Sequence, residues 1–255
     1  MQISFIGSGN VATHLALAFN SCGFLIDQIY SPHYQHAKLL ADRVGAEAID
    51  SIHLLHGDAD VYILAVTDDA LFDVVLDFHT DNALVLHTSG ATSIEVLRDT
   101  SGRYGVVWSP QTFIRDVALD YNQLPFCIEG NTPQTTDNIA HIISSVSPHI
   151  YRTTQQQRQY LHLAAVFINN FTNGLVGMAQ QICRNQNIPF EILHPLMLST
   201  ARRVLYGDVR YQLTGPASRN DTKTLQAHRR LLQDEPRMLQ VYNEMTSIIQ
   251  EMKVR

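Results

Sequence analysis

Short apolar runs alternate with amphipathic stretches across the first 152 residues of the chain. Six runs have the length and residue types of β-strands: ISFIG, IDQIYS, DVYILAV, ALVLHTS, YGVVWSP and PFCIEG. Between them, helical periodicity marks four stretches: NVATHLALAFNSC, QHAKLLADRVG, DALFDVVLDF and TTDNIAHIISSVS. Strands that alternate with helices predict crossover units, a mainly parallel sheet and helices on both of its faces.

The pattern changes after Tyr151, where only helices are predicted. Residues 155–187 lack proline and carry apolar residues on most helical faces, so we expect one long helix surrounded by protein. Three shorter helices follow, in PFEILHPLMLSTARRVLYG, DTKTLQAHRRLLQ and EPRMLQVYNEMTSIIQEMKV. Asp221 is expected to cap the second of these, and Pro236 lies near the first turn of the third.

A glycine-rich turn joins the first strand to the first helix. In ISFIGSGNVATHLA the pattern is G-x-G-x-x-A, formed by Gly7, Gly9 and Ala12. Gly7 permits a tight turn, Gly9 lets the backbone approach a pyrophosphate, and Ala12 lets helix and strand pack closely. The turn therefore predicts a dinucleotide site, with a purely structural glycine turn as the alternative. The candidate cofactor-binding residues here are Gly7, Ser8, Gly9, Asn10 and Val11.

These patterns together predict the fold class and the domain organisation. We expect an α/β protein, with an N-terminal Rossmann-like, doubly wound and mainly parallel sheet over residues 1–152. An all-helical C-terminal domain is expected over residues 153–255, where strand signals stop.

The end of the second strand indicates which dinucleotide is bound. Sites that prefer NAD place Asp or Glu there, about 20 residues after the glycine turn, on the ribose hydroxyls. Here the strand ends in Tyr30, Ser31, Pro32 and His33, with no carboxylate to repel a 2′-phosphate. Because Ser31 can donate a hydrogen bond and His33 can add partial positive charge, we predict NADP(H) as the cofactor.

Polar residues also follow the next strands of the sheet, where open α/β sheets bind their ligands. Val66, Thr67 and Asp68 are expected at the nicotinamide ribose. His87, Thr88 and Ser89 are expected near the nicotinamide ring or the substrate. As alternatives, Asp68 and Asp69 cap the following helix, and His87 is a hydrogen-bonded strand-end histidine.

Composition narrows the possible partners. The net charge is −6, and nothing supplies the basic face that nucleic acid requires. Residues 1–152 carry 17 Asp and Glu against 6 Lys and Arg, whereas residues 153–255 carry 7 against 12. The basic part either holds an anionic substrate or cofactor phosphate, or forms a solvated face that complements the acidic part.

Cysteine usage and hydropathy indicate the compartment. The three cysteines lie far apart and include no C-x-x-C pair, so we expect a reduced, cytoplasmic setting, and the start of the chain does not read as a secretory signal. The most apolar stretch, residues 161–179, includes His162, Asn169, Asn170 and Asn173, which is too polar for a simple membrane span.

Six segments resemble a bacterial family of NADP-oxidoreductase-like proteins: ISFIGSGNVATHLA, ILAVTDDAL, VLHTSGATSIEVL, WSPQTF, YLHLAAVFINN and LTGPASRNDTKTLQAH. The resemblance covers nearly the whole chain. It implies a Rossmann-like domain followed by a helical domain of unassigned function. It also implies kinship with 6-phosphogluconate, 3-hydroxyisobutyrate, ketopantoate and pyrroline-carboxylate enzymes, with ketopantoate reduction as one candidate activity.

The chain departs from this family at three places. Ser31 is followed by Pro32 where the family often has Arg, Trp108 stands where His is common, and Asn220 stands where Gly is common.

The long helix carries the candidate catalytic residues. His162, Val166, Asn170 and Asn173 are separated by steps of four, four and three, which places them near one face of a regular α-helix. In the reductases that the chain resembles, this helix supplies a Lys and an Asn. The resemblance thus implies His162 as the proton donor and Asn170 as the residue that orients the substrate, with a hydrogen-bonded core histidine as the alternative.

A second group of candidates lies in the loop TGPASRND. Arg219 is suited to clamp a substrate carboxylate through two parallel hydrogen bonds, and Asp221 is its neighbour in the site. In the alternative, Asp221 is a helix cap and Arg219 forms a surface pair. The pairs His33 with His36 and His53 with His56 lack an evident third ligand, so no metal site is predicted.

The predicted function is that of an NADP-dependent reductase. Hydride would pass from NADPH to a carbonyl or imine carbon of a small carboxylate-bearing substrate. The apolar character of the long helix suggests that a second subunit covers it, so a homodimer is expected. A dinucleotide-binding sensor or scaffold without turnover, and a deazaflavin-linked NADP oxidoreductase, are the alternatives.

Overall fold

An eight-stranded sheet forms the centre of the N-terminal part in the computed structural model, which describes residues 1–252. The strands are β1 (Gln2–Ile6), β2 (Leu25–Tyr30), β3 (Glu47–Ile49), β4 (Val61–Leu64), β5 (Leu84–His87), β6 (Arg103–Trp108), β7 (Phe126–Gly130) and β8 (Ile150–Arg152). Their order is β3-β2-β1-β4-β5-β6-β7-β8. All neighbours are parallel except β6 and β7. The predicted fold class is confirmed.

Four helices cover the two faces of this sheet: α1 (Asn10–Ser21), α2 (Tyr34–Val44), α3 (Asp68–Asp77) and α4 (Pro133–Ser144). Alternate residues of each strand enter opposite cores, as the two-residue period of a strand requires. Ile63 and Leu86, for example, join the core that includes residues of α1, α2 and α4, whereas Leu64 and Val85 join the core that includes Leu71 of α3.

Helices follow the last strand. They are α5 (Gln155–Val166), α6 (Thr172–Asn185), α7 (His194–Val204), α8 (Thr222–Leu231) and α9 (Pro236–Met252). A π-helical turn, Phe167–Phe171, joins α5 to α6. Thr154 and Gln157 form a reciprocal capping box that starts α5. Lys253 and Val254, which the sequence analysis assigned to the last helix, lie outside the described residues.

The chain divides into two compact units after Ile168, within the π-helical turn. The last strand ends at Arg152, which is also where the sequence predicts the domain boundary. Because the two units divide at a different residue, the boundary at Arg152 stays a prediction. The two units are described separately.

The expectation that protein surrounds the long helix is wrong for the single chain. Tyr160, Leu163 and Ile168 are 64%, 53% and 77% exposed. Large apolar side chains with this exposure are more typical of a surface that another molecule covers.

Candidate functional site

Gly7 has a conformation and surroundings that only glycine fits. Its φ is +117°, and a Cβ built on it would lie 2.3 Å from the carbonyl oxygen of Ala65. Its N–H donates to the carbonyl oxygen of Tyr30 at 2.9 Å. The turn therefore lies tightly against the ends of both neighbouring strands, β2 and β4.

Gly9 lies beside open space instead. It is the N-cap of α1, and, apart from its neighbours along the chain, no atom of the described residues lies within 4 Å of a Cβ built on it. No side chain caps this helix, and its first turn contains no acidic residue. Unpaired N–H groups and the positive end of the helix dipole thus face the space, while Ala12 is fully buried. This arrangement fits the phosphates of a dinucleotide.

The end of β2 lies next to this turn and presents Ser31 and His33. Ser31 is buried, and its hydroxyl oxygen accepts from the N–H of His33 at 3.4 Å. His33 is exposed and is the N-cap of α2. Its ring contacts that of His36, with centroids 5.3 Å apart. The sequence analysis considered His36 only as a metal ligand.

The end of β4 also reaches the glycine turn. Cγ1 of Val66 lies 3.2 Å from the position of a Cβ at Gly7, so these two predicted residues are neighbours. Thr67 caps α3, since its hydroxyl accepts from the N–H of Ala70 at 3.4 Å. Asp68 and Asp69 are exposed in the first turn of α3 and are not its N-cap.

His87 is fully buried, which argues against the predicted contact of its ring with a cofactor or substrate. The ring is 0% exposed, and Nδ1 accepts from the N–H of Ser89 at 3.1 Å. Burial, and to a smaller extent the charge of Arg158, lower the pKa of His87 to about 3. A neutral His87 therefore stabilises the start of the loop after β5.

Ser89 uses its hydroxyl inside that loop. The oxygen accepts from the N–H groups of Ala91 and Thr92, and the hydroxyl donates to the Thr92 hydroxyl at 3.0 Å. A Cβ built on Gly90 would lie only 2.7 Å from Cε2 of the Trp108 ring. These contacts fix the shape of the loop against β6.

Arg158, which the sequence analysis missed, holds the loop from the other side. It is 0% exposed although it carries a charge. Its guanidinium donates to a carboxylate oxygen of Glu129 at 2.6 Å and to the carbonyl oxygen of Thr92 at 2.9 Å. Gln159 donates to the carbonyl oxygen of Ala91 at 3.1 Å. The one sequence signal for this role of Arg158 is its position in a helix that is predicted to be covered by protein.

His162 lies one helical turn after Arg158 and contacts Trp108, with ring centroids 5.7 Å apart. Trp108 ends β6, so His162 lies at the carboxyl edge of the sheet. A cavity of about 80 Å³ opens at this edge, and its lining includes Val11, Thr88, Trp108, Ser109 and Phe113. Within the described residues, the buried hydroxyl of Ser109 has no hydrogen-bond partner. The cavity thus offers an unused polar group, and one of its lining residues, Trp108, contacts the imidazole of His162.

The spacing predicted for the long helix does not continue through it. Asn170 lies in the π-helical turn, which holds more residues per turn than an α-helix, so the four-four-three pattern changes there. Asn173 lies on α6 and donates to the side chain of Asn169 at 3.1 Å. Asn170 and Asn173 belong to the second unit.

The second unit also contains Arg219 and Asp221. Asp221 caps α8: its carboxylate accepts from the N–H of Thr224 at 3.1 Å and from its hydroxyl at 2.8 Å. These hydrogen bonds lower the pKa of Asp221. Arg219 is exposed and donates to the carbonyl oxygen of Thr214. Asn220 has a φ of 54°, which explains why Asn can stand where the family commonly has Gly.

Acidic groups meet His56 away from the glycine turn. One candidate ligand atom from each of Asp27, His56 and Asp58 lies within 4.8 Å of the others, and Nε2 of His56 is 3.1 Å from a carboxylate oxygen of Glu47. The sequence showed no third partner for His53 and His56, because Asp27 and Glu47 come from other elements. Nδ1 of His56 also lies 3.6 Å from a carboxylate oxygen of Asp27.

The fold and the turn define the class of protein as a Rossmann-like domain followed by a helical part. Residues 1–107 match the model of a Rossmann-like domain, and residues 124–249 match a domain of unknown function, DUF2520. No curated protein matches the sequence. Within the described residues, no helix is long and apolar enough to span a membrane.

Three solved structures show the relationship in more detail. A protein of Bacteroides fragilis, the "putative NADP oxidoreductase BF3122", is 34% identical over 98% of each chain, with a TM-score of 0.91. The imine reductase of Myxococcus stipitatus in complex with NADP+ has a TM-score of 0.67 at 15% identity, over 98% of this chain and 93% of that one. The 1-pyrroline-5-carboxylate reductase of Streptococcus pyogenes has a TM-score of 0.62 at 13% identity, over 98% of each chain.

The chain belongs to the family of BF3122. In this chain, a Rossmann-like domain precedes a DUF2520 domain. The predicted family resemblance is confirmed. The two reductases share its fold.

Proposed function

We propose that the protein is an NADP-dependent oxidoreductase that transfers hydride between NADPH and a carbonyl or imine carbon of a small carboxylate-bearing substrate. The open space beside Gly9, at the uncapped N-terminus of α1, carries the proposal, because this is where a pyrophosphate binds in dinucleotide folds. The description of BF3122 as an NADP oxidoreductase and the NADP+ complex of the imine reductase support the same class.

The end of β2 supports NADPH over NADH. The segment from Tyr30 to His33 contains no carboxylate that would repel the 2′-phosphate. The Ser31 hydroxyl can donate a hydrogen bond, and the exposed His33 lies at the N-terminus of α2, whose first turn contains no acidic residue.

The remaining roles follow from residue chemistry. When bound, NADPH supplies the hydride. His162 donates the proton to the carbonyl oxygen or imine nitrogen, since an imidazole can exchange a proton near neutral pH. Asn170 orients the substrate and Arg219 binds its carboxylate. Asp221, as the cap of α8, stabilises the backbone that follows Arg219. Ketopantoate is one candidate among such substrates.

A homodimer in the cytoplasm is part of this proposal. The exposed apolar residues of α5 would be covered by a second copy of the chain. All three cysteines are free, which suits a reducing compartment.

To test the proposal, the protein is incubated with NADPH and a panel of 2-oxo acids and cyclic imine carboxylates that includes ketopantoate. Turnover is measured as loss of nicotinamide absorbance. With the substrate that is turned over, His162→Gln should lower kcat about 100-fold or more and leave the Kd for NADPH unchanged. His141→Gln, an exposed histidine on α4, is the matched control and should leave both unchanged.

Binding of NADPH without turnover across the panel would favour a dinucleotide-binding sensor. Turnover only with an added deazaflavin would favour a deazaflavin-linked NADP oxidoreductase. A His162→Gln variant with full kcat would remove His162 from the proposed mechanism.

A further inference from the structure

The segment after β6 places an arginine beside the glycine turn. A guanidinium N–H of Arg115 donates to the carbonyl oxygen of Ser8 at 3.0 Å. Ser8 lies between Gly7 and Gly9, so the positive charge is located at the turn itself. None of the assignments made so far gives Arg115 a role.

His14 holds this segment against α1. Its Nε2 is 2.8 Å from the carbonyl oxygen of Ile114, and because a carbonyl only accepts, Nε2 carries the proton. Nδ1 of a neutral ring then accepts from the hydroxyl of Tyr121 at 3.2 Å. The ring of His14 also packs on Phe113, with centroids 5.4 Å apart. Arg115 follows Ile114 directly, so its backbone is anchored to the helix that begins at the turn.

The charge of Arg115 is not neutralised by an ion pair in the described residues. Three other basic side chains of the N-terminal part, Lys38, Arg98 and Arg152, pair with exposed carboxylates. Arg115 instead donates to a neutral carbonyl, and a guanidinium has five N–H donors in all. Arg103 also lacks an ion pair among the described residues, but it donates to the carbonyl oxygen of Asn82 and not to the glycine turn.

We propose that Arg115 binds the pyrophosphate of the dinucleotide. The inference rests on the proposed function, because it needs a dinucleotide at the glycine turn. The phosphates would lie at the N-terminus of α1, beside the open space at Gly9. The hydrogen bond to Ser8 orients the guanidinium, whose other N–H groups can donate to phosphate oxygens.

Equilibrium titration of NADPH and NADH tests this role, because both cofactors contain the pyrophosphate and only NADPH contains the 2′-phosphate. Arg115→Gln keeps a polar side chain but removes the charge, and Arg115→Lys keeps the charge. The control is Arg103→Gln, since Arg103 also donates to a backbone carbonyl, that of Asn82, but lies at the start of β6 on the opposite edge of the sheet.

We expect Arg115→Gln to weaken both cofactors by a similar factor of about ten or more, and Arg115→Lys by less. The affinity of Arg115→Gln for either cofactor should also depend less steeply on salt than that of the wild type, because one charge contact is lost. Arg103→Gln should bind both cofactors normally, and the unliganded melting temperature should change little in every variant.

Three results would overturn the role of Arg115: unchanged affinities in Arg115→Gln, a loss confined to NADPH, or an unchanged salt dependence. Wild-type protein that binds neither cofactor would instead refute the proposed function itself.

Discussion

Two alanine substitutions in one turn should separate folding from cofactor binding. Gly7 and Gly9 are two residues apart, and each would gain a single methyl group. At Gly7 the methyl carbon would lie 2.3 Å from the carbonyl oxygen of Ala65, with φ at +117°. At Gly9 it would meet no atom of the described residues within 4 Å apart from its chain neighbours, and φ is −73°, which alanine adopts readily.

The expected magnitudes follow from these two environments. For Gly7→Ala, left-handed backbone strain of about 1–2 kcal/mol adds to about 1–3 kcal/mol for overpacking against β4. The free energy of unfolding should therefore fall by about 2–5 kcal/mol, which lowers the melting temperature by about 10 °C. Gly9→Ala should fold as well as the wild type or up to about 1 kcal/mol better, because alanine restricts the unfolded chain.

Binding should show the opposite order. The methyl group of Gly9→Ala would occupy the space left for the pyrophosphate, so NADPH should bind about tenfold or more weakly in a protein with unchanged stability. Calorimetric melting and fluorescence titration on the same samples measure both quantities. A Gly9→Ala protein that binds NADPH as tightly as the wild type would refute the placement of the pyrophosphate. An unchanged melting temperature in Gly7→Ala would refute the steric argument.

Three further predictions concern stability and assembly. Folded His87 has a pKa of about 3, whereas the unfolded chain protonates near 6.5, so stability is lost as pH falls below 6.5. Between about pH 6.5 and pH 5.0, urea unfolding should show about 1.6 kcal/mol more loss in the wild type than in His87→Asn, and equal losses would contradict this. Arg158→Met should cost about 2–4 kcal/mol in the same assay by leaving Glu129 unpaired, against under about 1 kcal/mol for the exposed Arg152→Met; similar costs would argue against a structural Arg158. In analytical ultracentrifugation, the wild type should sediment as a dimer and Leu163→Asp as a monomer, and a monomeric wild type would contradict the proposed interface.

The sheet could be predicted from sequence wherever a strand is long enough to show a pattern. The strand–turn–helix unit around Gly7 and Gly9 is such a case, because the glycines and the apolar run occupy one short segment. β3 and β8 were missed, since each has only three residues and gains its stability from pairing with a neighbouring strand.

The candidate site was less predictable, because it depends on distant contacts. Arg158 reaches Glu129 and Thr92, which lie 29 and 66 residues earlier in the chain, and no local pattern relates them. Arg115 reaches Ser8 across 107 residues. His87 ends a strand as predicted, but its burial depends on the side chains packed over it. The π-helical turn likewise changed a spacing that assumed a regular helix.

Calorimetric titration of NADPH and NADH into the wild-type protein would show whether the turn around Gly9 holds the cofactor. We predict saturable binding of one NADPH per chain, with NADH bound more weakly because it lacks the 2′-phosphate. Failure of NADPH to bind at millimolar concentration would contradict the claim that the turn around Gly9 holds this cofactor.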